Sequence, residues 1–194
     1  MSYSLVVGLG NPGKEYELTR HNAGFLAVDA FAAKNGLRWS ADRKYMATAA
    51  RHHASGRTVI LAKPTTFMNG SGTAVSQLCN YYKISPKGVI IIHDDVAFAV
   101  GDYRIHIRES SGGHNGIADI LSKIGSEFTR YRIGIGAVAN EQIELSEYVL
   151  GKFTGEELQI LKSKTSEILE HLQLLLDKGI EHAMNLANRK KFYE

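Results

Sequence analysis

The sequence predicts an α/β fold: a single domain over residues 1–194, with a mixed, mostly parallel central sheet and helices on both faces. Short apolar runs of strand length alternate with segments whose apolar residues recur at helical spacing. Alternating strands and helices favour a parallel sheet that is covered on both sides. A turn signal at Ala54-Ser55-Gly56 separates two neighbouring strand-like runs, which adds an antiparallel hairpin and makes the sheet mixed.

The elements of the first half follow from apolar patterning. Residues 5–9 form a compact apolar run of strand length, and residues 89–92 form a β-branched run typical of a strand buried on both faces. The other elements predicted here are hairpin strands at 45–52 and 58–62, a helix from about Asn22 to a stop at Gly36, and a helix around 75–82.

The second half opens with an alternating segment, residues 102–108. Its apolar side chains are expected on one face and its basic side chains on the other, which predicts a half-exposed strand with a basic outer face. The apolar set is Tyr103, Ile105 and Ile107, and the basic set is Arg104, His106 and Arg108. The remaining predictions are a helix at 117–124, a strand at 130–136, a loop at 137–146 and a long helix at 154–178.

Length and composition are those of an ordinary soluble protein. The chain has 194 residues, of which 44% are hydrophobic and 22% are charged, and its net charge is +3. This mild basicity is compatible with an anionic partner but does not require one. The single cysteine, Cys79, excludes an internal disulfide framework. Because we find neither a bilayer-spanning apolar run nor a signal peptide, we expect a cytoplasmic protein without membrane contact.

The loop between the first strand and the first helix, within residues 8–25, allows two interpretations. Gly8, Gly10 and Gly13 match G-x-G-x-x-G, the dinucleotide-binding fingerprint. That fingerprint needs a helix opening at the loop and an acidic residue about 20 positions on, at a strand end. Here the helical pattern starts only near Asn22, and Asp29 falls inside it. We therefore favour a catalytic loop.

Polar side chains gather at one edge of the predicted sheet, since loops that follow parallel strands lie together. A histidine oriented by a carboxylate can deprotonate water, and asparagine amides can bind a peptide-like substrate or a developing oxyanion. No G-x-S-x-G motif occurs, so acyl-bond hydrolysis by an activated water is the favoured chemistry. Taken singly, a loop asparagine is more often a turn former. The residues at this edge are Asn11, His21, Asn69, Asp94, His114 and Asn115.

A metal site is not predicted. His52 and His53 are adjacent in a predicted strand and therefore point to opposite faces. His93, Asp94 and Asp95 have no recognised metal-ligand spacing.

Several segments, in order along nearly the whole chain, resemble those of bacterial peptidyl-tRNA hydrolases. They are V-G-L-G-N-P-G (7–13), T-R-H-N-A-G (19–24), K-P-T-T-F-M-N (63–69), H-D-D (93–95), G-G-H-N-G (112–116), R-I-G-I-G (132–136) and V-L-G-K (149–152). The resemblance implies an enzyme that hydrolyses the ester between a peptide and the 3′-terminal ribose of tRNA, and so recycles tRNA. It also implies a monomer that needs neither metal nor cofactor.

The same resemblance implies roles for individual residues. His21 would be the general base and Asp94 would orient it. Asn11 and Asn69 would bind the peptide backbone, while Asn115 would place the water or the substrate. The cleft walls would be Tyr16, Phe67, Met68 and His114, the contacts to the tRNA end would be Arg104, His106 and Arg132, and Val149 would lie in a lid.

Two departures from the family concern tRNA contacts. The family usually has lysines where Arg104 and His106 stand, and its glycine-rich run before Gly112 is replaced here by R-E-S-S (108–111). Because an unperturbed histidine titrates near pH 6.5, His106 is expected to tighten tRNA binding as pH falls from about 8 to about 6. A tRNA-binding module without catalysis remains the main alternative function, although it would have no use for His21 beside Asp94.

Overall fold

Seven strands form one sheet in the computed structural model of the chain, which describes residues 3–107, 109–138 and 142–188. The strands are β1 (Tyr3–Gly8), β2 (Ser40–Asp42), β3 (Ala47–Ala54), β4 (Arg57–Pro64), β5 (Val89–Asp95), β6 (Tyr103–His106) and β7 (Thr129–Gly134). Their order is β2-β3-β4-β1-β5-β7-β6. The central strands β4, β1, β5 and β7 are parallel, whereas β2 and β3, β3 and β4, and β6 and β7 pair antiparallel. The predicted mixed, mostly parallel sheet is confirmed.

Helices cover both faces of this sheet. Those in the described part of the chain are α1 (Ala23–Lys34), α2 (Ser71–Tyr82), α3 (Asn115–Ile124), α4 (Leu145–Leu150), α5 (Gly155–Lys178) and α6 (Ile180–Ala187). One core cluster joins α1, α5 and α6 to the sheet, and a second joins α2 and α3 to its other face. Strand β5 contributes Ile90 to the first cluster and Ile91 to the second, as a strand buried on both faces must. Among these described helices, none combines the length and apolar character needed to cross a bilayer.

The second half departs from the sequence-based expectation in two places. The predicted strand 102–108 is shorter than expected: β6 spans Tyr103–His106, and its pairing with β7 ends at His106 and Arg130. Ile107, predicted on the buried face, therefore lies beyond the strand and is 50% exposed, while Arg108 lies outside the described residues. The loop predicted over 137–146 is shorter than expected, since α4 already begins at Leu145.

A close approach between α1 and two strands fixes the geometry of the edge at which the parallel strands end. A Cβ added to Gly24 would lie 2.3 Å from the carbonyl oxygen of Ile92, and one added to Gly8 would lie 2.3 Å from the carbonyl oxygen of Gly24. Only glycine permits such backbone contact. The first glycine of the G-x-G-x-x-G match thus serves helix packing. This packing brings His21, just before α1, beside Asp94 near the end of β5.

Candidate active site

His21 and Asp94 form a buried pair where the parallel strands end. Nδ1 of His21 lies 3.0 Å from both carboxylate oxygens of Asp94, and the two residues are 8% and 3% exposed. Because an ionised carboxylate only accepts hydrogen bonds, Nδ1 carries the imidazole proton. Nε2 of His21 is then left with a lone pair, which is the tautomer that a general base requires.

His114 donates a second hydrogen bond to the same carboxylate. Its Nε2 lies 3.0 Å from Oδ1 of Asp94, while its Nδ1 accepts the backbone N–H of Ile117 at 3.3 Å and thereby caps α3. Since Nδ1 accepts, Nε2 must carry the proton, so the fold fixes this tautomer as well. Sequence reasoning placed His114 in the cleft wall, and the structure adds a direct bond to Asp94.

The two imidazoles decide the charge state of Asp94. Burial alone would raise the pKa of its carboxyl group, but the electrostatic attraction of the His114 ring and the hydrogen bonds from His114 and His21 outweigh that effect. The pKa is held well below its usual range, so the carboxylate stays ionised near neutral pH. It can therefore stabilise the positive charge that His21 acquires on taking a proton.

A third histidine, His93, supports this pair from within the sheet. Its ring packs edge-on against that of His114, with the centroids 4.8 Å apart, and its Nδ1 donates to the backbone carbonyl oxygen of Asp94 at 2.8 Å. Burial, followed by the electrostatic effect of the neighbouring His114 ring, lowers the pKa of His93 well below its usual value. The ring is therefore neutral in the folded protein near pH 7.

We expect this neutral His93 to make stability depend on pH. Below about pH 6.5 the unfolded chain protonates His93 but the folded protein does not, so acid favours unfolding. The contribution is at most about 1.4 kcal/mol per pH unit. In His93→Asn, whose amide can replace the Nδ1 donor, the free energy of unfolding should fall less between about pH 7 and about pH 5.5. Urea unfolding of both proteins measures this, and parallel pH dependences would contradict it.

Asn11 joins two loops at the same edge. Its Oδ1 accepts the backbone N–H of Met68 at 2.8 Å, which ties the loop after β1 to the turn after β4. The side chain of Asn22 pairs with both backbone groups of Asn11, at 2.8 and 3.0 Å. Nδ2 of Asn11 has no hydrogen-bond partner among the described residues, so it can donate to a ligand. Sequence reasoning missed Asn22, although the T-R-H-N-A-G segment contains it.

The other two asparagines are exposed at this edge. Asn69 lies in the single-turn helix Met68–Gly70, and Asn115 begins α3 and lines the cleft. The rings of Tyr16 and Phe67 meet edge-on with centroids 6.2 Å apart, and Phe67 is 58% exposed. Their role as a substrate-cleft wall stays a prediction. Met68 is buried at 4% exposure and packs against Gly116 at the start of α3.

A cleft of about 450 Å³ opens beside the His21–Asp94 pair. Its walls come from the end of β5, the loop 110–115, β7 and α4. Two arginines of β7 line it: Arg132, which sequence reasoning selected, and Arg130, which it missed. A sequence signal for Arg130 existed, because residues two apart in a strand share a face. The cleft thus has the imidazole of His21 at one side and guanidinium groups at the other.

Arg132 is held by three neighbours. Its Nε pairs with the carboxylate of Asp95, its guanidinium lies 4.6 Å from the ring centre of Phe98, and its Nη1 donates to Nε2 of His106 at 2.9 Å. Protonation of His106 at Nε2 would break that bond and place two cations side by side. This geometry works against the expected role of His106 as a pH-dependent phosphate contact. Arg104 packs over the same ring, at 5.4 Å, and donates to the backbone oxygen of Tyr103.

The ligating atoms of His21, Asp94 and His114 all lie within 4.8 Å of one another, close enough to raise the question of a metal. Both imidazole nitrogens that face Asp94 lie at hydrogen-bond distance from its carboxylate and carry protons there. A metal ligand needs a lone pair at that position. The donor set is thus that of a hydrogen-bond network, and a mechanism without metal stays a prediction.

An α/β fold that presents an imidazole oriented by a buried carboxylate to an open cleft is the arrangement expected of a hydrolase that activates water. The chain belongs to the peptidyl-tRNA hydrolase family, whose sequence profile matches residues 5–194.

Comparisons with individual proteins agree with this assignment. The chain is similar to the peptidyl-tRNA hydrolase of Caldanaerobacter subterraneus subsp. tengcongensis, with 44% identity over 95% of this chain and 98% of the relative. The peptidyl-tRNA hydrolase of Aquifex aeolicus is 40% identical over 98% of each chain. A crystal structure of peptidyl-tRNA hydrolase from Acinetobacter baumannii superposes with a TM-score of 0.89 at 39% identity, covering 97% of this chain and 96% of that chain.

Proposed function

We propose that this chain hydrolyses the ester between a peptide and the 3′-terminal ribose of tRNA by direct attack of a water that His21 deprotonates. Membership of the peptidyl-tRNA hydrolase family supports the reaction and the substrate. The buried His21–Asp94 pair carries the mechanism, because it fixes the base tautomer on a residue that lines the cleft. Recycling of tRNA follows from the products, which are a free peptide and a tRNA with a free 3′ end.

We propose the following reaction steps for these groups. Nε2 of His21 takes a proton from water as the oxygen attacks the ester carbonyl, and Asp94 stabilises the imidazolium that forms. The free Nδ2 of Asn11 donates to the substrate carbonyl, whose oxygen gains negative charge in the transition state. When the intermediate collapses, the ribose oxygen leaves and takes the proton back from His21.

The remaining site residues divide between the two ends of the substrate. Asn69 and Asn115 offer exposed amides for the peptide backbone and the water, and the Tyr16–Phe67 pair with Met68 walls the peptide side. The tRNA end binds the guanidinium groups of β6 and β7, since phosphates prefer such forked donors. Those groups are the sequence-predicted Arg104 and Arg132, to which we add Arg130 because it lines the cleft. His106 contributes by accepting a hydrogen bond from Arg132.

We further propose a cytoplasmic monomer that needs neither metal nor cofactor. One chain supplies every residue of this site, which supports the monomer. The proposed substrate, tRNA, belongs to cytoplasmic translation.

The decisive experiment incubates the protein with N-acetyl-aminoacyl-tRNA and, in parallel, with unblocked aminoacyl-tRNA. We expect release of the amino acid only from the blocked ester, because a blocked amine mimics a peptide bond. Binding of tRNA without release from either substrate would instead support a tRNA-binding module. Equal release from both substrates would contradict the proposed selectivity for peptidyl esters.

Asn22→Ala tests whether Asn11 must be held in place. The change removes both bonds to the Asn11 backbone but no group that lines the cleft. Small misplacements of catalytic groups can cost about 100-fold in rate, so we expect kcat to fall by about 10- to 100-fold. Asn35→Ala is the matched control, since its amide bonds only the backbone of Phe31 at the far end of α1. Similar losses of kcat in both variants would contradict this role.

A further inference from the structure

Arg20, the residue before His21, connects the catalytic loop to α4 across the cleft. Its backbone N–H donates to the carbonyl oxygen of Gly151 at 3.0 Å, and Phe153 donates back to Leu18 at 2.9 Å. Thr19 and Lys152 complete this small antiparallel contact. The backbone that carries His21 is therefore paired directly with the segment that ends α4.

The side chain of Arg20 also joins the loop that carries His21 to α4 and α5. Its Nη2 reaches both carboxylate oxygens of Glu157, at 2.9 and 3.1 Å, and its guanidinium lies 4.4 Å from the ring centre of Tyr148. The Arg20 and Glu157 side chains are 11% and 19% exposed, so solvent screens this pair less than a surface pair. Arg20 thus lies between α4 and the start of α5.

Glu157 is itself fixed at the first turn of α5. It forms a reciprocal capping box with Thr154, in which each side chain accepts the other's backbone N–H. The anchor for Arg20 is consequently a rigid helix start. Tyr148 is fixed as well, because its hydroxyl donates to the backbone oxygen of Ile135 at 2.9 Å.

Besides these contacts, helix α4 packs against the core through the half-buried Tyr148 and Val149. It spans only Leu145–Leu150, none of its side chains is fully buried, and Leu145 and Leu150 are 45% and 44% exposed. A helix this short is not stable without tertiary contacts. Yet α4 supplies one wall of the cleft through Leu145, Ser146 and Val149.

We propose that Arg20 is a positioning residue that holds α4 over the substrate cleft through the bonds from its Nη2 to Glu157 and its stacking on Tyr148. It acts through α4 and touches no reacting atom. The α4 wall should then already be ordered before substrate binds, so that substrate binding does not have to order it. The expected effect of Arg20 on substrate binding rests on the proposed function, whereas its expected effect on the stability of α4 does not.

Hydrogen exchange of Arg20→Gln tests the structural consequence. The backbone N–H groups of Tyr148 and Gly151 bond within the α4 turn and report its opening. Loss of a charge-assisted, partly buried pair should speed their exchange by about 10- to 100-fold, with little change in β5. Arg20→Lys, which keeps the charge but loses the guanidinium group and its stacking, should give an intermediate increase. Uniformly faster exchange throughout the sheet would overturn the proposal, because Arg20 would then support only general stability.

Steady-state kinetics with peptidyl-tRNA test the second consequence. We expect KM to rise by about 10-fold or more in Arg20→Gln, with a smaller change in kcat and an unchanged midpoint in its pH profile. Glu157→Gln should act in the same direction, and the double variant should be no worse than Arg20→Gln alone, because both changes remove one interaction. Additive losses, or a shifted pH midpoint at unchanged KM, would show that Arg20 acts elsewhere.

Asp29→Asn is the matched control. It removes the ion pair between Asp29 of α1 and Lys63 of β4, and neither residue lines the cleft. Exchange at Tyr148 and the KM should both stay at the wild-type values. If wild-type protein releases nothing from peptidyl-tRNA, the proposed function fails while the exchange experiment still decides the role of Arg20.

Discussion

Replacing His21 by alanine is expected to lower the turnover of peptidyl-tRNA by about 100- to 10,000-fold, the usual worth of a general base. Affinity for tRNA should stay close to the wild-type value, because phosphate contacts supply most of it and His21 makes none. Single-turnover cleavage of N-acetyl-aminoacyl-tRNA measures the first effect. Binding of an analogue with an amide in place of the ester measures the second.

Two controls sharpen this experiment. His182→Ala changes an exposed histidine of α6, away from the cleft, and should leave turnover unchanged. Added imidazole should restore part of the activity of His21→Ala, because it can occupy the vacated space and act as the base. Wild-type turnover in His21→Ala would rule out the mechanism. Loss of turnover together with loss of tRNA binding would point to a damaged fold.

Much of the fold could be predicted because its signals are local. The β-branched run at 89–92 and the alternation of Tyr103 to His106 each report how one strand is buried, and both are confirmed. The periodic leucines of α5 and the cap at Thr154 are also local signals of a helix. Strand β2, with three residues, and α4, with six, are too short to show a period, so tertiary contacts decide them.

The features of the site also divide into those that local sequence signals predict and those that depend on tertiary contacts. Parallel strand ends and the motif resemblance were sufficient to select His21, Asp94 and Asn11. The pairing of Arg20 with Glu157 was out of reach, because the two residues lie 137 positions apart and meet only when α5 packs. The bond between Arg132 and His106 depends on side-chain direction across two strands, which alternation alone does not give.

Asp94→Asn is expected to reduce turnover by about 10,000-fold with little change in substrate affinity, as happens when a buried carboxylate that orients a catalytic histidine becomes an amide. The reason is the number of hydrogen-bond acceptor oxygens that residue 94 offers to the two imidazoles. Both His114 and His21 donate to this carboxylate, and His21 reaches both of its oxygens. An asparagine offers only one acceptor oxygen and turns the other position into a donor.

The two imidazoles cannot adapt equally to that change. His114 must keep its proton on Nε2, because its Nδ1 caps α3. The amide oxygen of Asp94→Asn therefore takes the Oδ1 position that faces His114, and Nδ1 of His21 then faces both this shared oxygen and the new NH₂ group. Because the NH₂ group repels an N–H at Nδ1 and donates to a lone pair there, the His21 proton is expected to move to Nε2, which then lacks the lone pair that takes a proton from water.

Nitrogen-15 NMR of the histidine rings distinguishes this explanation from a general loss of packing. In Asp94→Asn the His21 proton should appear on Nε2, and in the wild-type protein it should appear on Nδ1. His114→Gln provides the comparison, since it leaves the carboxylate to orient His21 and should reduce turnover far less. Equal losses in Asp94→Asn and His114→Gln would assign Asp94 a structural role. An unchanged His21 tautomer in Asp94→Asn, together with a large loss of turnover, would require another cause for that loss.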